Sequence, residues 1–386
     1  MIKGRSEPQK GNILIVDDTP ANLRLLSQIL IEQGYHVRPV PDGQLALAAV
    51  DAEQPDLILL DIRMPEMNGF EVCECLKANA RNCNIPVIFI SALDAVYDKV
   101  KAFGVGGADY ITKPFQVDEV LARVETHMAL QRLQKQLQDA NIKMTQELAL
   151  AGEIQASFLP QKLPTLPGWQ LTASLIPARE TSGDFYDFIS LPEGRVGIVV
   201  ADVCDKGAGA ALYMALSWTL IRTYALEYPS QPERVLYDVN RRITEDTNAN
   251  RFVTVFYGIL TPESGMLVYS NAGHCPPLLI RNNDSSSIGK LSNTGIPLGI
   301  FGEVTWKQEI SQINPGQVLA LYSDGITEAE NQEGVFLGED RLVHSLKSNL
   351  GHTAQEIHDA VLSDTQKFVG EAAQSDDIAL VVLIRD

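Results

Sequence analysis

Basic side chains are the scarce class in this 386-residue sequence: 31 Lys and Arg stand against 49 Asp and Glu, a formal net charge of −18. So acidic a chain is repelled by nucleic acid and by anionic membrane surfaces, which argues against both as partners. Cysteine is sparser still. The five present (Cys73, Cys75, Cys83, Cys204 and Cys275) are odd in number and lack paired metal spacing, which points to a reducing compartment and away from zinc. No apolar run is long enough to span a bilayer, and Met1 to Lys10 hold no apolar core. Neither a membrane anchor nor a signal peptide is therefore expected, and the expected location is the cytoplasm. The remaining composition, 45% hydrophobic and 21% charged, is that of a folded chain with room for two domains and a connector.

From Asn12 to about Arg123 an apolar strand-like run is followed by an amphipathic segment, five times over. The runs are Ile13–Val16, His36–Val40, Leu57–Leu60, Val87–Ile90 and Tyr110–Thr112. This alternation predicts a parallel sheet covered by helices on both faces, with a site at the carboxyl ends of the strands. Polar residues stand at those ends: Asp17 and Asp18, Asp61, Ser91 and Lys113.

Glycine and proline are missing from Val124 until Gly152 and Pro160. Across that gap Leu130, Leu133, Leu137, Ala140, Met144, Glu147, Ala151, Ile154 and Phe158 recur at steps of three and four. The spacing predicts one long helix with a heptad seam, and hence a coiled-coil homodimer. After Pro160 strand-like runs dominate: Val196–Ala201, Val253–Leu260, Met266–Ser270, Val318–Tyr322 and Ile378–Ile384. Helical segments are expected near Ala208–Glu227, Pro232–Thr247 and Thr353–Phe368, giving an α+β sandwich flanked by helices.

Each polar group in the first region has a chemical use. Asp61 can act as nucleophile toward a phosphoryl group. With Asp17 and Asp18 it forms an oxygen-rich site suited to Mg2+, while Lys113 and the Ser91 hydroxyl can meet phosphoryl oxygens. Residues 12–125 resemble bacterial response-regulator receiver domains, which have a flavodoxin-like α/β fold. The resemblance rests on Asp17-Asp18, Asp61, Met64-Pro65-Glu66-Met67-Asn68-Gly69, Ser91-Ala92, Tyr110 and Lys113-Pro114. It implies a cognate histidine kinase that phosphorylates Asp61, with Ser91 and Tyr110 as switch residues.

In the second region single carboxylates sit beside apolar runs: Asp184, Asp202, Asp324 and Asp376. Gly183 and Gly325 relieve crowding next to two of them. Hard oxygen donors without His or Cys suit two Mg2+ or Mn2+ ions, which can activate a water against a phosphate monoester. Residues from about 150 onward are similar to the metal-dependent (PPM-type) serine/threonine phosphatases, in the bacterial branch that regulates sigma factors. The similarity is carried by Glu153-Ile154-Gln155, Ser182-Gly183-Asp184-Phe185-Tyr186-Asp187, Ala201-Asp202-Val203 and Asn271-Ala272-Gly273-His274. Ser323-Asp324-Gly325 and Asp376-Asp377-Ile378 complete it.

Carried over, that likeness implies that Asp202 bridges both ions with the Val203 carbonyl as a further ligand. Asp184 would serve one ion, and Asp324 with Asp376 the other. Asp187, Asp205, Asp377 and His274 are accessory candidates, His274 in a structural rather than a catalytic part. Two departures stand out: Ser182 replaces the commoner glycine, and Asp205 stands where many members have glycine. The substrate implied is a phosphorylated anti-sigma-factor antagonist. The expected organisation is a receiver domain over residues 1–123, a helical coiled-coil linker over 124–160 and a phosphatase domain over 161–386. The competing readings are an adaptor with a silent phosphatase fold and a small-molecule phosphatase. A DNA-binding output is disfavoured because no basic patch appears.

Overall fold

The computed structural model describes residues 10–92, 96–246, 251–280 and 288–386. Contacts divide the chain into two units, Met1–Ile142 and Lys143–Asp386. The first unit alternates strand and helix: β1 (Asn12–Val16), α1 (Pro20–Glu32), β2 (His36–Val40), α2 (Gly43–Ala52) and β3 (Leu57–Asp61). It continues with α3 (Gly69–Ala78), β4 (Val87–Ala92), α4 (Val96–Gly104), β5 (Asp109–Lys113) and α5 (Val117–Ala156). The strands run parallel in the order β2-β1-β3-β4-β5.

Both faces of this sheet are buried, which is why its strands read as unbroken apolar runs. Leu14, Val16, Ile58 and Leu60 pack toward α2 and α3, while Ile13, Ile15, Leu57 and Leu59 pack toward α1 and α5. Local signals set the helix starts. Pro20 opens α1, the Asp42 carboxylate caps α2 through Leu45 N at 2.8 Å, and Asn68 with Glu71 forms a capping box on α3. Strand order reverses between β1 and β3, so their carboxyl ends frame the crevice of a flavodoxin-like fold.

The second unit holds β6 (Trp169–Ile176), β7 (Phe185–Ser190), β8 (Val196–Val203), α6 (Ala208–Glu227), α7 (Pro232–Asp246), β9 (Val253–Thr261) and β10 (Met266–Ala272). Then come β11 (Leu278–Ile280), β12 (Ile288–Lys290), β13 (Glu309–Gln312), β14 (Val318–Tyr322) and α8 (Asp324–Thr327). Last are α9 (Gly338–Ser348), α10 (Ala354–Val369) and β15 (Ile378–Arg385). Two antiparallel sheets result, β13-β10-β9-β8-β7 and β12-β11-β14-β15-β6.

Period-two alternation builds the layers. Along β8, Val199, Ala201 and Val203 face α6 and α7, while Val196, Ile198 and Val200 face the other sheet. Along β15, Val381 and Leu383 face the inter-sheet core, and Leu380 and Val382 face α9 and α10. The architecture is the helix-flanked sandwich expected from sequence. The sequence reading passes over β6, β7, the short strands β11 to β13, and α9. In β6 the apolar pattern is diluted by Gln170, Thr172 and Ser174.

The expected helix over 124–158 is instead the second part of α5, which begins at Val117 as the last helix of the receiver and runs 40 residues. Its seam is solvent-facing: Leu133, Leu137 and Met144 are 62%, 65% and 61% exposed. Phe158 does not belong to that seam. It lies past the helix end and packs its ring on Trp218 at 5.1 Å, drawn into the second unit's core. Residues before Lys10 and the expected helix end at Thr247 lie outside the described residues. Among the described residues no helix is long and apolar enough to cross a membrane.

Leu321 is fully buried between the two sheets. Leu321→Ala is expected to destabilise the second unit by about 2–5 kcal/mol, read as a lowered urea midpoint at unchanged slope.

Candidate active sites

At the carboxyl ends of β1 and β3, oxygens of Asp17, Asp18 and Asp61 lie within 4.8 Å of one another. Asp17 and Asp61 are buried and Asp18 is exposed. Lys113, at the end of β5, reaches both buried carboxylates, with Nζ 2.9 Å from Asp17 Oδ2 and 2.8 Å from Asp61 Oδ2. Burial raises the Asp61 pKa, and Lys113 opposes that rise. Ser91, 5% exposed, lies near the end of β4, one residue past Ile90, which pairs with Asp61. Tyr110 lies on β5, its ring edge-on to Phe103 at 6.1 Å. All of the expected groups except Tyr110 therefore stand at strand ends. Asn22 was not foreseen: its side-chain amide donates to Asp17 Oδ1 and Oδ2 at 2.9 and 3.0 Å and so orients that carboxylate.

In the second unit each sheet supplies two carboxylates. Asp184 precedes β7 and Asp202 lies near the end of its antiparallel partner β8. Asp324 follows β14 and Asp376 precedes its partner β15. Their charges are felt across the sheets: burial first, then Asp202, Asp376 and Glu328, push Asp324 up to about 7. Burial and the neighbouring Asp202 raise Asp184 as well, and burial raises Asp202. Lys206 Nζ stands 3.0 Å from Asp376 Oδ2. Asp184 Oδ2 is buried without a hydrogen-bond partner, an orphaned anionic acceptor of the kind a hard cation satisfies. The four carboxylates therefore fit a divalent-metal centre by donor type, although only the receiver triad converges within 4.8 Å among the described residues.

Gly183 and Gly325 do relieve crowding. A Cβ on Gly325 would meet the Asp377 carbonyl oxygen at 1.9 Å, and one on Gly183 would meet that of Val203 at 2.9 Å. The accessory candidates separate into distinct parts. Asp187 shares the β7 face of Phe185 and Ile189, which points at α6, and there it pairs with Arg222 at 2.6 Å. Asp205 adopts φ +83°, is exposed, and pairs with Arg251 at 2.8 Å.

Asp377 is buried and accepts from Ala178 N, Gly183 N and the Ser182 hydroxyl, each at 2.8 Å. It frames the Asp184 loop. His274 is held by Asn271, whose Oδ1 accepts His274 N at 2.9 Å, and its Nδ1 lies 2.9 Å from Thr254 Oγ1. Thr254 pairs with Asp202 across β8 and β9. Burial lowers the His274 pKa to about 4, so the ring is neutral and acts as a prop two steps behind Asp202. The Cys275 thiol is also unforeseen. Burial and the charges of Asp324, Asp202 and Asp184 push it up to about 12, which keeps it protonated.

A family model described as the response regulator receiver domain matches residues 13–125, and one described as stage II sporulation protein E (SpoIIE) matches residues 192–386. Protein IcfG of Synechocystis sp. is 33% identical over 268 residues, covering 62% of this chain and 42% of IcfG. Phosphoserine phosphatase RsbU of Bacillus subtilis is 28% identical over 265 residues, covering 68% of this chain and 74% of RsbU. The chain thus spans under half of the first relative and about three quarters of the second. The SiaA-PP2C domain of Pseudomonas aeruginosa shares the sandwich fold at a TM-score of 0.57 and 20% identity, over 64% of this chain and 99% of that domain.

The raised pKa values bear directly on stability. Asp324 titrates near 7 when folded, against about 3.9 for an unperturbed Asp, so folding favours its protonated form. That contribution is full below the unfolded value and is lost as pH rises through about 7. In EDTA the melting temperature of the second unit is expected to fall between pH 5 and pH 8. Mn2+ should raise it more at pH 8 than at pH 5, and Asp324→Asn should flatten the slope; scanning calorimetry at the two pH values checks this.

Proposed function

Because the chain belongs to the SpoIIE family of PP2C-type phosphatase domains and carries a response-regulator receiver domain, we propose that it is a metal-dependent protein-serine/threonine phosphatase governed by phosphorylation of Asp61. The observation that carries the reading is the gathering of Asp184, Asp202, Asp324 and Asp376 at paired strand ends of two sheets, with Asp184 Oδ2 left without a partner. Bound there, two Mn2+ or Mg2+ ions would supply an activated water and stabilise the leaving oxygen of a phosphate monoester. Asp202 would serve both ions, with the Val203 carbonyl as a further ligand, while Asp184 would hold one ion and Asp324 with Asp376 the other. Lys206 offsets the charge of Asp376 at the rim, and His274 holds Thr254 against the strand that carries Asp202.

In the receiver, Asp17, Asp18 and Asp61 are assigned to Mg2+, which would neutralise charge on the incoming phosphoryl group. An Asp61 oxygen attacks the phosphorus of a histidine kinase's phosphohistidine, and the phosphoryl group passes to that oxygen as the imidazole leaves. Lys113 pairs with one phosphoryl oxygen and the Ser91 hydroxyl donates to another, with Tyr110 answering on the same face. This exchange with an ATP-using kinase places the proposed reaction in the cytoplasm. The phosphatase substrate assigned is a phosphoserine or phosphothreonine on an anti-sigma-factor antagonist; the phosphoserine part is in keeping with RsbU of Bacillus subtilis being a phosphoserine phosphatase. The exposed Leu133, Leu137 and Met144 seam is assigned to a second copy of α5.

Phosphate release from a phosphoseryl protein should require Mn2+, fall at least about 100-fold in Asp202→Asn, and change when beryllofluoride occupies Asp61. Absence of turnover from folded wild type would favour the adaptor reading instead. Sedimentation of the full chain should show a dimer that Leu137→Glu dissociates; a monomeric wild type would remove the coiled coil.

A further inference from the structure

Gln155 is the buried residue of the last turn of α5, 6% exposed between exposed neighbours. Its Oε1 accepts from Ser182 N at 2.9 Å, and its Nε2 donates to the Ser182 carbonyl. A primary amide is the side chain able to satisfy both halves of one residue's backbone in this way. One turn earlier, Gly152 lies so close to the same loop that a Cβ would stand 1.9 Å from the Glu180 carbonyl oxygen. The Ser182 hydroxyl accepts from Asp184 N at 3.0 Å and donates to Asp377 at 2.8 Å. The loop carrying Asp184 is therefore held from two directions, by Asp377 ahead of β15 and by the end of α5.

We propose that Gln155 is a positioning residue for Asp184: the amide bridge from α5 fixes this loop and thereby sets the cation affinity of the Asp184 site. The proposal rests on the metal-dependent phosphatase reading. Its physical basis is the orphaned Asp184 Oδ2, whose direction is useful to a cation only while the loop is held in place. Loss of the bridge would leave a buried N–H and C=O unpaired, and the loop would relax toward water to satisfy them. Cation affinity would then depend on where the last turn of α5 lies.

The test is Mn2+ binding to the full chain, followed by electron paramagnetic resonance of free Mn2+, alongside turnover at graded Mn2+. Gln155→Met keeps the length and removes both hydrogen bonds. Gln155→Glu keeps the acceptor and loses the donor, and Gly152→Ala displaces the loop by contact alone. Gln146→Ala, exposed on the same helix, is the control. Gln155→Met and Gly152→Ala should weaken the site that Asp184→Asn abolishes by about tenfold or more, with Gln155→Glu in between. Saturating Mn2+ should restore most of the turnover.

Wild-type affinity in folded Gln155→Met would overturn the proposal, leaving Gln155 a stitch that matters only to melting temperature. If Gln155→Met does not fold, unchanged affinity in Gly152→Ala and Gln155→Glu overturns it equally. Weakened binding in the variants of a wild type that hydrolyses no phosphoprotein would uphold the clamp and remove the phosphatase reading.

Discussion

Mutual repulsion between carboxylates is the constraint around which both units are arranged. Asp61 in the first unit, and Asp184, Asp202 and Asp324 in the second, are pushed up by burial first and by neighbouring carboxylates after it. The two units answer this differently. In the first, a single ammonium is inserted: Lys113 stands between Asp17 and Asp61, and Asn22 and the Thr19 backbone N–H also donate to Asp17. In the second, Asp377 is enclosed by backbone and hydroxyl donors, and Asp187 is paired with Arg222. Asp184, Asp202 and Asp324 are left crowded, and burial with their neighbours' charge raises all three.

That contrast suits different chemistry. In the first unit the permanent cation of Lys113 lowers the cost of the charged form of Asp61. The crowded, raised carboxylates of the second unit, Asp184 and Asp324 among them, would gain from a counter-charge brought to them. The sandwich serves this by rigidity. Two antiparallel pairs, β7 with β8 and β14 with β15, each deliver two carboxylates from strands buried on both faces.

Much of this was legible in the residues. Strands that are buried on both faces announce themselves as apolar runs, and Asp17, Asp61 and Lys113 stand where parallel strands end. Asp184, Asp202, Asp324 and Asp376 stand beside such runs at the ends of two paired strand sets, without converging as closely as the receiver triad. What escaped was long-range polar geometry. Gln155 reads as one more polar residue on a helix, and Ser182 as a mild replacement for glycine. Their meaning lies in hydrogen bonds spanning 27 and 195 residues, which leave no periodic trace. Asp187 misled for a related reason: strand alternation sends it to the α6 face, and only the three-dimensional neighbour Arg222 reveals its use. The end of the heptad seam was misplaced because Phe158 satisfies the spacing and yet finds a better partner in Trp218.

The frame of the Asp184 loop also has a consequence for the order in which the molecule matures. Asp377, which fastens Ser182 and Gly183, adjoins a strand that lies between β14 and β6 and pairs along its whole length with residues some two hundred positions earlier. A chain emerging from the ribosome presents Asp184 long before Asp377 exists. Until β15 slots between its neighbours, the inter-sheet core lacks its central strand and the first carboxylate has no fixed direction. Closure of so distant a contact is slow. The geometry around Asp184 is thus tied to the last strand placed, and a nascent or truncated product carries Asp184, Asp202 and Asp324 without the frame that orients the first of them.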